Sequence, residues 1–90
     1  MISLVKATAR ARSEREVRAL FSALFTVGEV DHFNRRWKAF HLRLRGKSQR
    51  QVAILSKISI QKAQRASKVL KNPRHRKTIE RFMLAGKVVR

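Results

Sequence analysis

The sequence predicts an all-helical fold, and three observations carry that prediction. Apolar residues recur at spacings of three and four, hydroxyl residues stand just ahead of those stripes, and the single proline and the three glycines fall where a stripe begins or stops. At 90 residues the chain is one small domain. Alone it would bury only about 60–65% of its unfolded surface, so a marginal monomer or an oligomer is expected. With 43% hydrophobic residues it holds too much apolar material to be a disordered basic tail.

Residues 1–12 hold Lys6, Arg10 and Arg12 without an acid and show only a weak helical pattern. They read as a basic arm ahead of a single helical domain over residues 13–90. They lack the apolar core of ~7–15 residues that a signal peptide needs, so they are expected to belong to the folded protein. Ser13-Glu14-Arg15-Glu16 has the form of a capping box, with Ser13 accepting a backbone N–H and the Glu bonding back. Val17, Leu20, Phe21 and Leu24 then make one apolar stripe, predicting a helix from about Glu14 to Phe25.

Thr26-Val27-Gly28-Glu29 is a second capping box, with Phe25 placed to pack on Val30 as a hydrophobic staple. The stripe Val30, Phe33, Trp37, Phe40, Leu44 follows, spaced 3-4-3-4, and Gly46 supplies a left-handed stop, so a long central helix should run from about Val27 to Arg45. Leu20, Phe21, Leu24, Phe33, Trp37, Phe40 and Leu44, joined by Phe82, are expected to serve core and dimer packing; the periodicity favours this over a stacking platform for bases. Near the end, Asn72-Pro73 reads as an N-cap followed by proline at the first helical position. Ile79, Phe82 and Met83 give a last helix from about Pro73 to Ala85, with Gly86 ending it.

Charge narrows the function classes. Twenty-three Lys or Arg against five Asp or Glu leave +18 at neutral pH, which calls for a polyanionic partner. The absence of cysteine removes disulfide, thiolate and Cys-zinc chemistry. His32, His41 and His75 are scattered without metal-ligand spacing, so no metal and no cofactor is implied. The longest apolar stretch, residues 19–28, is about half the ~20 needed to span a bilayer, and no membrane partner is expected. The acids, Glu14, Glu16, Glu29, Asp31 and Glu80, stand mostly at helix starts, where capping and the helix dipole explain them. No paired carboxylate or nucleophile constellation remains, so catalysis is not expected.

Residues 48–71 carry the functional signal. They split into two short helices around Ser56-Lys57-Ile58, the form of a helix-turn-helix. Ser48 caps the first helix, with Val52, Ala53 and Leu55 facing inward and Ile58 plugging the turn. Lys57 stands where glycine is usual and must accept a left-handed backbone or shift the turn. Ser59 caps the second helix, which should bury Ile60, Ala63 and Leu70. The base-reading set is Ile60, Gln61, Gln64 and Arg65, because Gln can pair with adenine and Arg with guanine in the major groove. Gln49, Arg50, Lys57, Lys62 and Lys68 are the expected phosphate contacts.

Leu24-Phe25-Thr26-x-x-Glu29, Arg36, Leu44-Arg45-Gly46-x-Ser48-Gln49-Arg50, Ile60 and Arg65-Ala66-Ser67-x-x-Leu70-Lys71 together resemble the tryptophan repressor family, over roughly residues 24–82. The Arg-Gly-x-Ser-Gln-Arg step is the most specific piece, one residue shorter here between glycine and serine. The resemblance implies an all-helical, intertwined homodimer in which each subunit donates a two-helix reading head. It also implies half-sites about one helical turn, ~34 Å, apart. Thr26, Arg36 and Arg65 match the family's corepressor pocket, where two arginines sandwich the indole of tryptophan. Ala66, Val69 and Lys62 depart from it: Ala66 replaces a glycine, Val69 a serine that serves the ligand's ammonium, and Lys62 a threonine. Valine cannot accept that hydrogen bond, which argues against tryptophan or another small-molecule corepressor.

The expected function is therefore binding of double-stranded DNA by a dimeric transcriptional repressor in the cytoplasm, associated with the nucleoid. A plasmid or phage accessory protein, acting at an origin or at multiple sites, would use the same reading head. RNA binding suits the charge but lacks an exposed aromatic platform.

Overall fold

The structure is a computed structural model that describes the backbone of residues 1–88 and side chains through Met83. Six helices follow one another among the described residues: α1 (Leu4–Arg10), α2 (Glu14–Leu24), α3 (Val27–Leu44), α4 (Gln49–Ser56), α5 (Ile60–Lys71) and α6 (Pro73–Val88). None is long and apolar enough to cross a membrane. The chain forms two compact units, residues 1–33 and 34–90.

Local chemistry starts every helix of the first unit. Ser3 Oγ accepts from Lys6 N–H at 3.1 Å, so the weakly patterned arm contains a capped seven-residue helix. Ser13 Oγ caps α2 through Glu16 N–H at 3.2 Å, but the Glu16 carboxylate accepts from Arg12 N–H at 2.6 Å, one residue earlier than the standard box. Thr26 and Glu29 close a full reciprocal box at 3.1 and 2.9 Å and start α3. Phe25 meets Phe21 and Phe33 edge to face, with centroids 5.6 and 5.2 Å away, so three rings hold this unit together. Leu24 remains exposed, and Leu20 and Phe21 are half-buried.

In the second unit α3 ends at Gly46, whose φ of 88° makes it the left-handed stop its position predicts. Among the described residues the buried core is Ala39, Val52, Ala63 and Ala66, with Phe40, Leu42, Ala53 and Ile58 packed against it, and Leu70 is buried farther along α5. Small residues at these places let helices approach closely, but they bury little area. Phe40 and Leu44 are half-buried; Phe33 in the first unit and Trp37 and Phe82 in the second stand 43%, 43% and 67% exposed. Asn72 Oδ1 caps α6 through Arg74 N–H at 3.0 Å, and Pro73 takes the first position. Contrary to expectation, Gly86 does not end α6, which continues to Val88. A mid-helix glycine costs only about 1 kcal/mol, a preference that an established helix can override.

Candidate nucleic-acid interface

The site is built on α4, a turn and α5. Ser48 and Gln51 form a complete capping box at 3.2 and 3.0 Å, and Ser59 Oγ accepts from Lys62 N–H at 3.2 Å, so both short helices begin at fixed residues. Between them Lys57 adopts φ 56°, ψ 47°, the left-handed geometry that its place in the turn demanded. The chain therefore turns without shifting, at a steric cost on the order of 1–2 kcal/mol. Lys57 N–H and Ile58 N–H close the turn onto Ile54 and Ala53 carbonyls at 3.3 and 3.1 Å.

Two inward expectations are corrected. Leu55 is 47% exposed: the inner line of α4 is Gln49, Val52, Ala53 and Ser56, and Leu55 lies roughly 110° around the helix from its centre. Ile60, at the first position of α5, is 42% exposed and so is not part of the core.

The faces of α5 separate by chemistry. Ala63, Ala66, Ser67 and Leu70 are buried at spacings of three, one and three. Gln61, Gln64, Arg65 and Lys68 are exposed, Ile60 stands beside them at the N-terminus, and Lys62 is half-buried at the border. Arg50 and Lys57 are exposed on α4 and the turn, and Gln49 is half-buried at the first position of α4. Between Asp31 and Glu80 the sequence contains fifteen Lys or Arg and no acid, so no carboxylate within this run offsets the positive field.

Arg36, Lys62 and Arg65 meet around a cavity of about 210 Å³ whose apolar lining includes Phe40, Ala66 and Val69. Thr26 lines a separate open depression with Glu29 and His32 in the first unit, and its hydroxyl accepts from Glu29 N–H. The cavity holds no acidic lining residue.

Sequence reasoning did not single out the side chains that hold the head to α3. Arg43 Nε donates to Ser67 Oγ at 2.9 Å and its Nη1 to the Lys47 carbonyl at 2.9 Å. Arg35 Nη1 donates to the Lys57 carbonyl at 3.3 Å. Their spacing of eight residues leaves them about 80° apart around α3 and singles out neither among the arginines of that helix.

Paired capped helices, a tight left-handed turn and an exposed polar, cationic face on the second helix define a DNA-binding protein of the helix-turn-helix class. Within that class, the family described as Trp repressor protein matches residues 1–83, and the chain belongs to this family of DNA-binding regulators. No curated protein and no solved structure matches the chain.

Proposed function

We propose that the chain is a dimeric, sequence-specific repressor that inserts α5 into the major groove of duplex DNA. The observation that carries this reading is the division of α5: Ala63, Ala66, Ser67 and Leu70 are buried, while Gln61, Gln64 and Arg65 face solvent. Ile60 adds an apolar contact suited to a thymine methyl, and Arg50, Lys57, Lys62 and Lys68, with Gln49, hold phosphates. Such a protein works at the nucleoid, in the cytoplasm.

Dimerisation is supported by apolar side chains that one chain leaves in water. Leu24, Phe33, Trp37 and Phe82 are 53%, 43%, 43% and 67% exposed, and a second copy would cover them. With Leu20, Phe21, Phe40 and Leu44 they supply the apolar surface that this short chain cannot bury alone. Sedimentation at micromolar concentration checks the dimer: a monomer would remove this part of the proposal.

DNA binding is proposed to be independent of tryptophan. Val69 cannot accept from an ammonium, Ala66 fills space, and Lys62 adds a third cation to Arg36 and Arg65 around the cavity. Millimolar L-tryptophan should leave duplex affinity unchanged, and a tenfold gain would overturn the point.

The base-reading assignment is tested on a duplex selected from a random library. Gln64→Ala should relax the choice at one position by about 1–3 kcal/mol, whereas Arg50→Ala should weaken all duplexes alike. Equal and uniform losses would mean that α5 is not the reading helix. The long acid-free run also favours a second reading, an accessory protein that coats an origin or several sites. Footprinting separates them: a single short palindrome supports the repressor, and extended protection supports the accessory role.

A further inference from the structure

We propose that Arg43 is a positioning residue for DNA reading, a pin that sets the tilt of α5 through the hydroxyl of Ser67. The inference rests on the DNA-reading role proposed above. In a chain with 23 Lys or Arg, most of them exposed, Arg43 is half-buried and has two of its donors engaged, one of them on the buried face of α5. One goes to Ser67 Oγ, on a residue only 4% exposed in the middle of the buried face of α5; the other goes to the carbonyl of Lys47, just before the cap of α4. A single guanidinium on α3 thus ties the entry of α4 to the inner face of α5.

That tie matters because close backbone packing joins α5 to α4 and α6 more than to α3. The close backbone packing of the head is between α4 and α5 and between α5 and α6, whereas α3 reaches the head through side chains. Its core contribution is the small Ala39 with the half-buried Phe40 and Leu42. Alanine contacts allow one helix to roll on another, while a planar guanidinium held at two acceptors does not. Arg35, bonded to the Lys57 carbonyl, holds the turn from the same helix at a second point.

The functional consequence follows from lever length. A helix of 12 residues is about 18 Å long, so a tilt of about 3° displaces its end by about 1 Å. A bidentate contact between Gln and a base does not survive that displacement, but a long Lys or Arg reaching a phosphate follows it. Loss of the pin therefore lowers discrimination between sequences and leaves non-specific attraction intact. A phosphate ligand would behave in the opposite way.

The test uses the full chain as Arg43→Gln, Ser67→Ala and the double variant, each measured against the selected duplex and a scrambled duplex over a range of salt. Amide hydrogen exchange in α5 is measured on the same proteins without DNA. Each single variant should lower the specific-to-scrambled ratio about tenfold, the order expected for one hydrogen bond to a charged group. The double variant should lose no more than Arg43→Gln alone, because Ser67→Ala removes only the contact that Arg43→Gln already breaks. The salt slope should not change, and α5 amides should exchange faster by a similar factor in all three.

Equal loss on both duplexes, with a slope flatter by about 0.9 in Arg43→Gln, would make Arg43 a phosphate contact and overturn the proposal. Additive losses in the double variant, or exchange like that of the wild type, would overturn it too. If the wild type distinguishes no duplex, the DNA-reading role fails; matched acceleration of α5 exchange in the three variants would still support the pin, and unchanged exchange would reject it. Should Arg43→Gln not fold, Ser67→Ala alone carries both measurements, since it removes one hydroxyl and no charge.

Discussion

Residues 1–33 and residues 34–88 are started by the same local devices, yet they differ in what completes them. Ser3, Ser13 and Thr26 cap the helices of the first unit as surely as Ser48, Ser59 and Asn72 cap those of the second. No residue of the first unit is buried, however, whereas the second encloses Ala39, Val52, Ala63, Ala66 and Leu70. Four of the five acids also lie in the first unit. Glu16 and Glu29 serve caps there, and Glu14 pairs with Arg18 across one turn at 2.7 Å. The comparison teaches that local signals can define a helix without supplying anything for it to pack on. The first unit has the starts of helices and exposed apolar side chains; the second has a core and the candidate DNA-reading face.

The sharpest way to break this contrast is at the two apolar positions that differ most. Val52→Ala should cost about 2–3 kcal/mol in urea unfolding, equally at low and high protein concentration, because Val52 is fully enclosed within one chain. Leu24→Ala should cost about 2 kcal/mol when a partner covers the residue and under ~0.5 kcal/mol when none does, so its effect should grow with concentration. A concentration-independent Leu24→Ala would mean that the first unit needs no second copy.

Backbone effects come next and sharpen the second unit. Gly46→Ala should destabilise by about 1 kcal/mol purely through its positive φ, since an added Cβ would meet nothing within 4 Å. Lys57→Gly should stabilise by up to about 1 kcal/mol by relieving the same strain, while weakening binding to every duplex through loss of a cation. The smallest effect is expected at Ser56. Its buried hydroxyl has no hydrogen-bond partner among the described residues, so Ser56→Ala should raise stability by about 0.5 kcal/mol in thermal unfolding.

Much of the fold was legible because its signals are short-range. Thr26 with Glu29, Ser48, Ser59 and Asn72 each lie within three residues of the groups they cap, so residue type and spacing suffice. Lys57 was legible as a strained position because the turn had to bend there. Gly86 misled for the opposite reason: a weak intrinsic preference yielded to a helix already under way. Leu55 and Ile60 misled because apolar character says that a residue prefers cover without saying which neighbour provides it. The candidate site was legible on α5, where small buried residues alternate with Gln and cations. Arg43 and Ser67 were not legible: they are 24 residues apart, and nothing in a chain full of arginines distinguishes the one that turns inward.

Salt-dependent binding to the selected duplex tests the central claim most directly. Insertion of the cation-rich head into duplex DNA, with about six to ten phosphates neutralised, should make log affinity fall with log salt at a slope of roughly −5 to −9. A nearly flat dependence, with affinity unchanged between low and high salt, would contradict DNA recognition by α5 and its flanking cations.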